Sequence, residues 1–175
     1  EARKSGRKAA KGQAGKPFDW DTLKLGDVIA PDSAPKVAGQ AISIRCAASS
    51  ASPDGVLLAH GGSAVGYAIY LQKGELVFAV RTGGSEIRRA RIKVQLNREM
   101  MVQADLFRTG RMMISTSHSG ESLTIEGVKL ITRHPQEDFC VGHDNKNPVD
   151  PEAPQARWKG SLKGLKVVVG NAAKK

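Results

Sequence analysis

Seventeen Asp and Glu residues in a 175-residue chain make paired carboxylates the first chemistry to look for. A retaining glycosidase needs two carboxyl groups about 5–5.5 Å apart, which a Glu-x-Asp-x-x-Glu run on one strand supplies. No such run occurs. Glu121 and Glu126 are five apart, an odd spacing that turns them to opposite sides of a regular strand. Gly61-Gly62-Ser63-Ala64-Val65-Gly66 superficially resembles a Gly-x-Ser-x-Gly nucleophile elbow, but Val65 breaks the spacing and no helix follows. A tight corner at a sheet rim is the better reading. His60, His118, His134 and His143 are scattered with no zinc-ligand spacing, so they are expected to be exposed or bonded to backbone. Asp144, Asn145, Asn147 and Asp150 form an oxygen-rich loop that could suit calcium. Lys146 and Pro148 interrupt it, and Asx residues favour turns for local hydrogen-bonding reasons. The expectation is no catalytic residue, no metal and no cofactor.

The basic residues are more suggestive. Arg81, Arg88, Arg89, Arg91 and Lys93 fall close together, and Arg89, Arg91 and Lys93 would form a stripe if they share one strand face. Arginine's planar fork suits sulfate and carboxylate groups. The competing reading is a solvated sheet face protected against edge pairing. Aromatics are only 5% of the chain, and Tyr67, Phe78 and Trp158 read as packing. Tyr70 shares its face with Gln72, which leaves it as the aromatic open to a sugar ring. Tyr70, Arg81, Arg89, Arg91 and Lys93 are therefore the candidate carbohydrate contacts.

The formal charge is +10, and half of it lies in residues 1–16, where six basic residues face Glu1. That segment is polar and lacks an apolar period. It reads as a basic flexible linker, with polyanion binding the sharper alternative. Nucleic acid is disfavoured as a partner, because no zinc-finger, helix-turn-helix or RNA-recognition signature is present. No apolar run approaches the roughly 18 residues of a membrane helix. With Glu1 first and no signal peptide visible, the chain is expected to be a processed or excised piece. Cys46 and Cys140 both fall in strand-like segments, and whether they pair is left open.

The elements that must position these residues are strands throughout. Ile42, Ile44 and Cys46 alternate with Ser43 and Arg45; Tyr67, Ile69 and Leu71 oppose Ala68, Tyr70 and Gln72. The turn Lys73-Gly74 leads to Leu76, Phe78 and Val80, alternating with Val77, Ala79 and Arg81, which is a hairpin signal. Further strands are expected around Ile87–Val94, interrupted at Arg88-Arg89, then at 101–106, 112–115, 123–125, 128–131, 139–141 and 162–169. Order is expected to begin near Phe18 and Trp20. Many short strands and no sustained helical period predict an all-β, two-sheet antiparallel sandwich over 17–170, with 171–175 as a disordered tail.

Asp54-Gly-Val-Leu-Leu-Ala-His-Gly-Gly62, Gly66-Tyr-Ala-Ile-Tyr-Leu71 and Lys73-Gly-Glu-Leu-Val-Phe78, with weaker echoes at 139–149 and 158–169, resemble a known module. It is the concanavalin A-like, laminin G-like C-terminal sandwich of bacterial arylsulfatase-type proteins. The resemblance implies a jelly-roll of the lectin/glucanase type and a secreted or periplasmic location. It also implies an accessory role beside a catalytic domain, binding carbohydrate, including anionic polysaccharide, or packing on that neighbour without glycan. The Cys/Ser-x-Pro-x-Arg nucleophile motif of sulfatases is absent from the sequence.

Overall fold

The computed structural model describes residues 22–83, 85–118 and 122–170. The expected arm over 1–16, the onset of order at Phe18 and Trp20, the tail and Glu121 lie outside them. Eleven strands are formed in the described residues: β1 (Val28–Ile29), β2 (Ile42–Ser50), β3 (Gly55–Gly61), β4 (Gly66–Gln72), β5 (Glu75–Gly83) and β6 (Glu86–Lys93), then β7 (Met100–Phe107), β8 (Arg111–Thr116), β9 (Ser122–Glu126), β10 (Phe139–Val141) and β11 (Gly160–Val169). A six-stranded sheet runs β1-β10-β3-β4-β5-β6, and a five-stranded sheet runs β11-β2-β7-β8-β9. Every pairing within them is antiparallel.

Period-two ordering explains the layers. Ile42, Ile44 and Cys46 of β2 meet Tyr67, Ile69 and Leu71 of β4 and Leu76, Phe78 and Val80 of β5 in one core between the sheets. Apolar burial of this kind is worth roughly 25 cal/mol per Å² and is the main driving force for the two faces to close. The expected hairpin is present: Gln72 pairs with Glu75 across Lys73 and Gly74, both with positive φ, the two-residue turn that matches strand twist. The Gly61–Gly66 corner also forms at a sheet rim. Gly61 has φ +110°, and a Cβ there would lie 2.3 Å from the Val65 carbonyl oxygen.

Two strand assignments need correction. Arg88-Arg89 does not interrupt β6, because one residue of the pair simply faces each side of a continuous strand. The 128–131 stretch is not a strand. It is a loop whose Val128 and Ile131 are buried in the core, with backbone bonds from Val128 N–H to Gly110 O and from Gly39 N–H to Ile131 O. Apolar residues there plug the sandwich without a ladder.

The cysteines are both buried and free. Cys46 points into the core between the sheets, while Cys140 sits on β10, paired with Val28 and Ala59, outside that core cluster. The layer between them rules out a bridge.

Candidate functional site

The outer face of the six-stranded sheet is not open to solvent. Val56, Ala59, Ala68, Tyr70, Val77 and Ala79 form a second apolar cluster there, completed by Val149 and partly buried Ala153. The chain between β10 and β11 passes over this face as a strap. Val149-Asp150 forms its buried crossing point.

Asp150 is fully buried and accepts four hydrogen bonds. Arg89 donates through Nε and Nη2 at 2.7 and 2.8 Å, Tyr70 Oη at 2.7 Å and the Glu152 amide at 2.9 Å. Burial alone would raise its pKa, but the bonds from Arg89, Tyr70 and Glu152 outweigh it and hold the carboxyl below the ordinary carboxylate range. Glu152 extends the network to Arg89 and Arg91, each at 3.4 Å, and its carbonyl accepts from Gln72 Nε2 at 2.7 Å.

This arrangement changes the reading of the expected contacts. Arg89, Arg91 and Lys93 do share one face, opposite Ala79, Val77 and Glu75. However, Tyr70 is fully buried rather than exposed, and its hydroxyl is taken by Asp150. Arg89 is consumed by the same carboxylate. Arg81 is also buried, at the far end of β5, with its Nε lacking a hydrogen-bond partner among the described residues. Arg91 is half-exposed beside Glu152, and Lys93 is exposed. The stripe is chiefly the dock for the strap.

Between its arms the strap leaves a cavity of about 320 Å³. His143, Asp144, Asn145 and Lys146 line one side; Pro148, Ala153 and Pro154 give it apolar wall; Gln155 and Arg157 close the other side. The oxygen-rich loop is held by local bonds. Asn145 N–H donates to Asp144 Oδ1 at 2.7 Å, Asn147 N–H to Asn145 Oδ1 at 2.7 Å, and Asn145 Nδ2 to Gly61 O at 2.8 Å. Those are Asx turns. No group of three or more His, Cys, Asp or Glu that could hold a metal converges among the described residues.

Three features of the cavity are chemically available. Asp144 Oδ2 is buried with no hydrogen-bond partner in the described residues. Burial pushes this carboxyl up to about 6, against the amides of Asn145 and Val149, with Glu137 and Asp150 adding to the rise. Lys146 and Arg157 are exposed and make no side-chain hydrogen bond or ion pair with the described residues. His143 spends Nδ1 on the Val141 carbonyl at 3.0 Å, which leaves Nε2 as its unbonded nitrogen. The site offers two cations, an imidazole nitrogen, the Gln155 amide and the Asp144 carboxyl beside an apolar wall. No Phe, Tyr or Trp among the described residues lines it.

The other histidines are structural. His134 Nε2 bonds the Pro31 carbonyl at 2.7 Å, and His118 accepts from Gln95 N–H at 3.1 Å. His60 is fully buried, with Nδ1 2.9 Å from Tyr67 Oη; burial, helped by His134 and Lys36, lowers it to about 3. Trp158 packs as expected, and its indole N–H anchors the end of the strap on Ser49 O at 2.9 Å. Sequence reasoning missed Lys146 and Arg157 as a pair. Their one signal was cationic residues interrupting a Pro- and Asx-rich stretch.

Two antiparallel sheets with this strand order define a jelly-roll sandwich of the concanavalin A-like type. Comparison with solved structures bears this out. Domains LG4-5 of the mouse laminin α1 chain superpose with a TM-score of 0.63 at 16% identity, over 84% of this chain and 38% of that one. The native heptameric SAP-like pentraxin of Limulus polyphemus gives a TM-score of 0.56 at 16% identity, over 83% of this chain and 70% of that one. At that identity the likeness concerns the fold alone. No family model and no curated protein matches the sequence. Neither superposed structure links the chain to arylsulfatase-type modules; that narrower resemblance is carried by residues 54–80, with the weaker echoes at 139–149 and 158–169. No helix among the described residues is long and apolar enough to cross a membrane.

Proposed function

We propose that this domain is a non-catalytic binding module that takes an acidic sugar unit in the strap cavity. The observation that carries the reading is the pair Lys146 and Arg157, two cations facing one cavity with no anionic partner among the described residues. Arg157 supplies the fork that suits a carboxylate or sulfate, and Lys146 adds a point charge. Pro148, Ala153 and Pro154 give apolar surface to the ring, and Gln155 and His143 Nε2 offer bonds to hydroxyls. Without an aromatic platform, recognition is charge-driven, so acidic sugars are selected over neutral ones. Arg91 and Lys93 remain the members of the expected stripe with exposed charge to add.

The accessory role follows the same logic. A binding module tethered to a catalytic domain raises the local concentration of substrate beside it. The resemblance of residues 54–80 supports a sulfatase-type neighbour and export, and the full-length gene product tests both. The domain itself is tested on an array of sulfated, uronic-acid and neutral polysaccharides at two salt concentrations, with K146Q/R157Q alongside. Acidic glycans bind at low salt, weaken at high salt as exposed charge pairs are screened, and bind the variant poorly. Absence of acidic-glycan binding at low salt, or binding indifferent to the variant, removes the reading.

A second reading, a protein-interaction domain that takes no glycan, draws on the outer face of the five-stranded sheet. Met101 is 58% exposed there and Val168 37%. Scattered apolar residues of this kind are common on free surfaces, which places this reading second.

A further inference from the structure

Arg45, Met101, Lys163 and Lys166 are exposed on the outer face of the five-stranded sheet, and one irregularity gives that face an order that the sequence spacing would not. Lys163 and Lys166 are three apart, so on a regular strand they would point to opposite faces. The β11–β2 register shifts between them, so that Lys163 lies opposite Ala47 and Lys166 opposite Arg45. Cross-strand partners share a face. Arg45 is exposed between the core residues Ile44 and Cys46, so both lysines project from the open side with it. Gly164, inside the bulge, has φ +61°. Bulges re-aim side chains, and this one brings two cations to one face.

The result is a like-charge pair, Lys166 directly across from Arg45, a juxtaposition that weakens a sheet. None of Arg45, Lys163 and Lys166 forms an ion pair with the described residues. The row continues from Arg45 to Gln103 and on to Ser115. A depression of about 290 Å³ here has Arg45, Gln103, Ser115 and Ser117 in its lining, with Met101 and Val102 as apolar wall. The acid nearest in register, Asp105, is buried in the neighbouring row and accepts from Gln103 Nε2 at 2.9 Å. Glu126, on β9, is already paired with Arg111 at 2.8 Å.

We propose that this row is a second binding track, for the sulfate groups of a linear sulfated polysaccharide. Lys163, Lys166 and Arg45 meet the sulfates, and the Ser115 and Ser117 hydroxyls meet sugar hydroxyls in the depression. An anion bound between Lys166 and Arg45 relieves their repulsion, which is the physical reason to place it there. The track shares its ligand class with the strap cavity but none of its residues, so it rests on the acidic-glycan reading and not on that cavity.

The test uses the full chain with dextran sulfate and neutral dextran of equal length at low salt. Three variants are compared: R45Q/K163Q/K166Q on the face, K163R/K166R as its charge-retaining control, and K146Q/R157Q in the cavity. The expected result is a loss of about tenfold in affinity for dextran sulfate in the face variant, retention in the control, and no affinity for neutral dextran. The free face variant should melt no lower than the parent, because a repulsion has been removed. Unchanged affinity in the face variant with a loss in the cavity variant overturns the track and leaves the cavity reading standing. A loss in the face variant alone supports the track and removes the cavity for this ligand. No binding of dextran sulfate by the parent overturns both.

Discussion

Tyr70 and Asp150, 80 residues apart in sequence, are both fully buried and joined by a 2.7 Å hydrogen bond on the outer face of the six-stranded sheet. With Arg89 they turn a face that alternation marks as solvent-facing into the dock for the strap. The carboxylate is out of water and survives there because four donors satisfy it.

Removing that carboxylate should release the strap. Asp150→Ala leaves Arg89 and Tyr70 without their acceptor, and the expected cost is about 3–5 kcal/mol. Urea denaturation measures it, and limited proteolysis should cut within 142–157 faster than in the parent. Unchanged proteolysis would mean that apolar contacts of Val149 hold the strap alone.

The pH response should show two opposed slopes. His60 is held neutral, its pKa lowered to about 3, so its contribution is present above its unfolded value of about 6.5 and is lost as pH falls from there. Asp144, raised to about 6, works in the other direction: the fold favours its protonated form, so stability declines as pH rises from about 4 to about 6. Across that window the two slopes largely cancel. Asp144→Asn keeps the Oδ1 acceptor for Asn145 and removes one slope. Relative to the parent it should gain stability by on the order of 1–2 kcal/mol at pH 7, and the gain should vanish near pH 4. Denaturant midpoints from pH 4 to 7 decide it; a gain that persists at pH 4 refutes the assignment.

Both thiols should resist labelling. Burial pushes Cys46 up to about 12 and Cys140 up to about 11, Asp144 and Asp138 adding to the latter, so little thiolate exists at neutral pH. A maleimide or disulfide reagent should react slowly with the native chain and titrate two thiols in denaturant, with no change on prior reduction. Fewer than two thiols after denaturation without reductant would reveal a bridge.

The Gly61 corner admits no side chain. Gly61→Ala places a Cβ against the Val65 carbonyl at a φ that L residues rarely adopt, and should destabilise by roughly 2 kcal/mol or more. Gly74→Ala meets no atom within 4 Å and carries the positive-φ strain alone, so it should cost less. Thermal melts of the two variants give the comparison.

Much of the sandwich was legible in the chain because side-chain alternation is a local property of strands. The Tyr67/Ile69/Leu71 and Leu76/Phe78/Val80 faces, the Lys73-Gly74 hairpin and the Asx turns at 144–147 each follow from neighbouring residues. Val128 and Ile131 misled, because apolar residues buried from a loop carry the same composition as a short strand.

The site followed a different rule. Which residues share a strand face, Arg89, Arg91 and Lys93 among them, can be read along the chain, since backbone geometry sends every second side chain the same way. That Asp150 lands on that face, that Tyr70 is sealed beneath it, and that Lys146 and Arg157 line one cavity emerges from the folded chain. A strap crossing a sheet is set by contacts 60 to 80 residues apart, and no local period records which distant carboxylate will arrive.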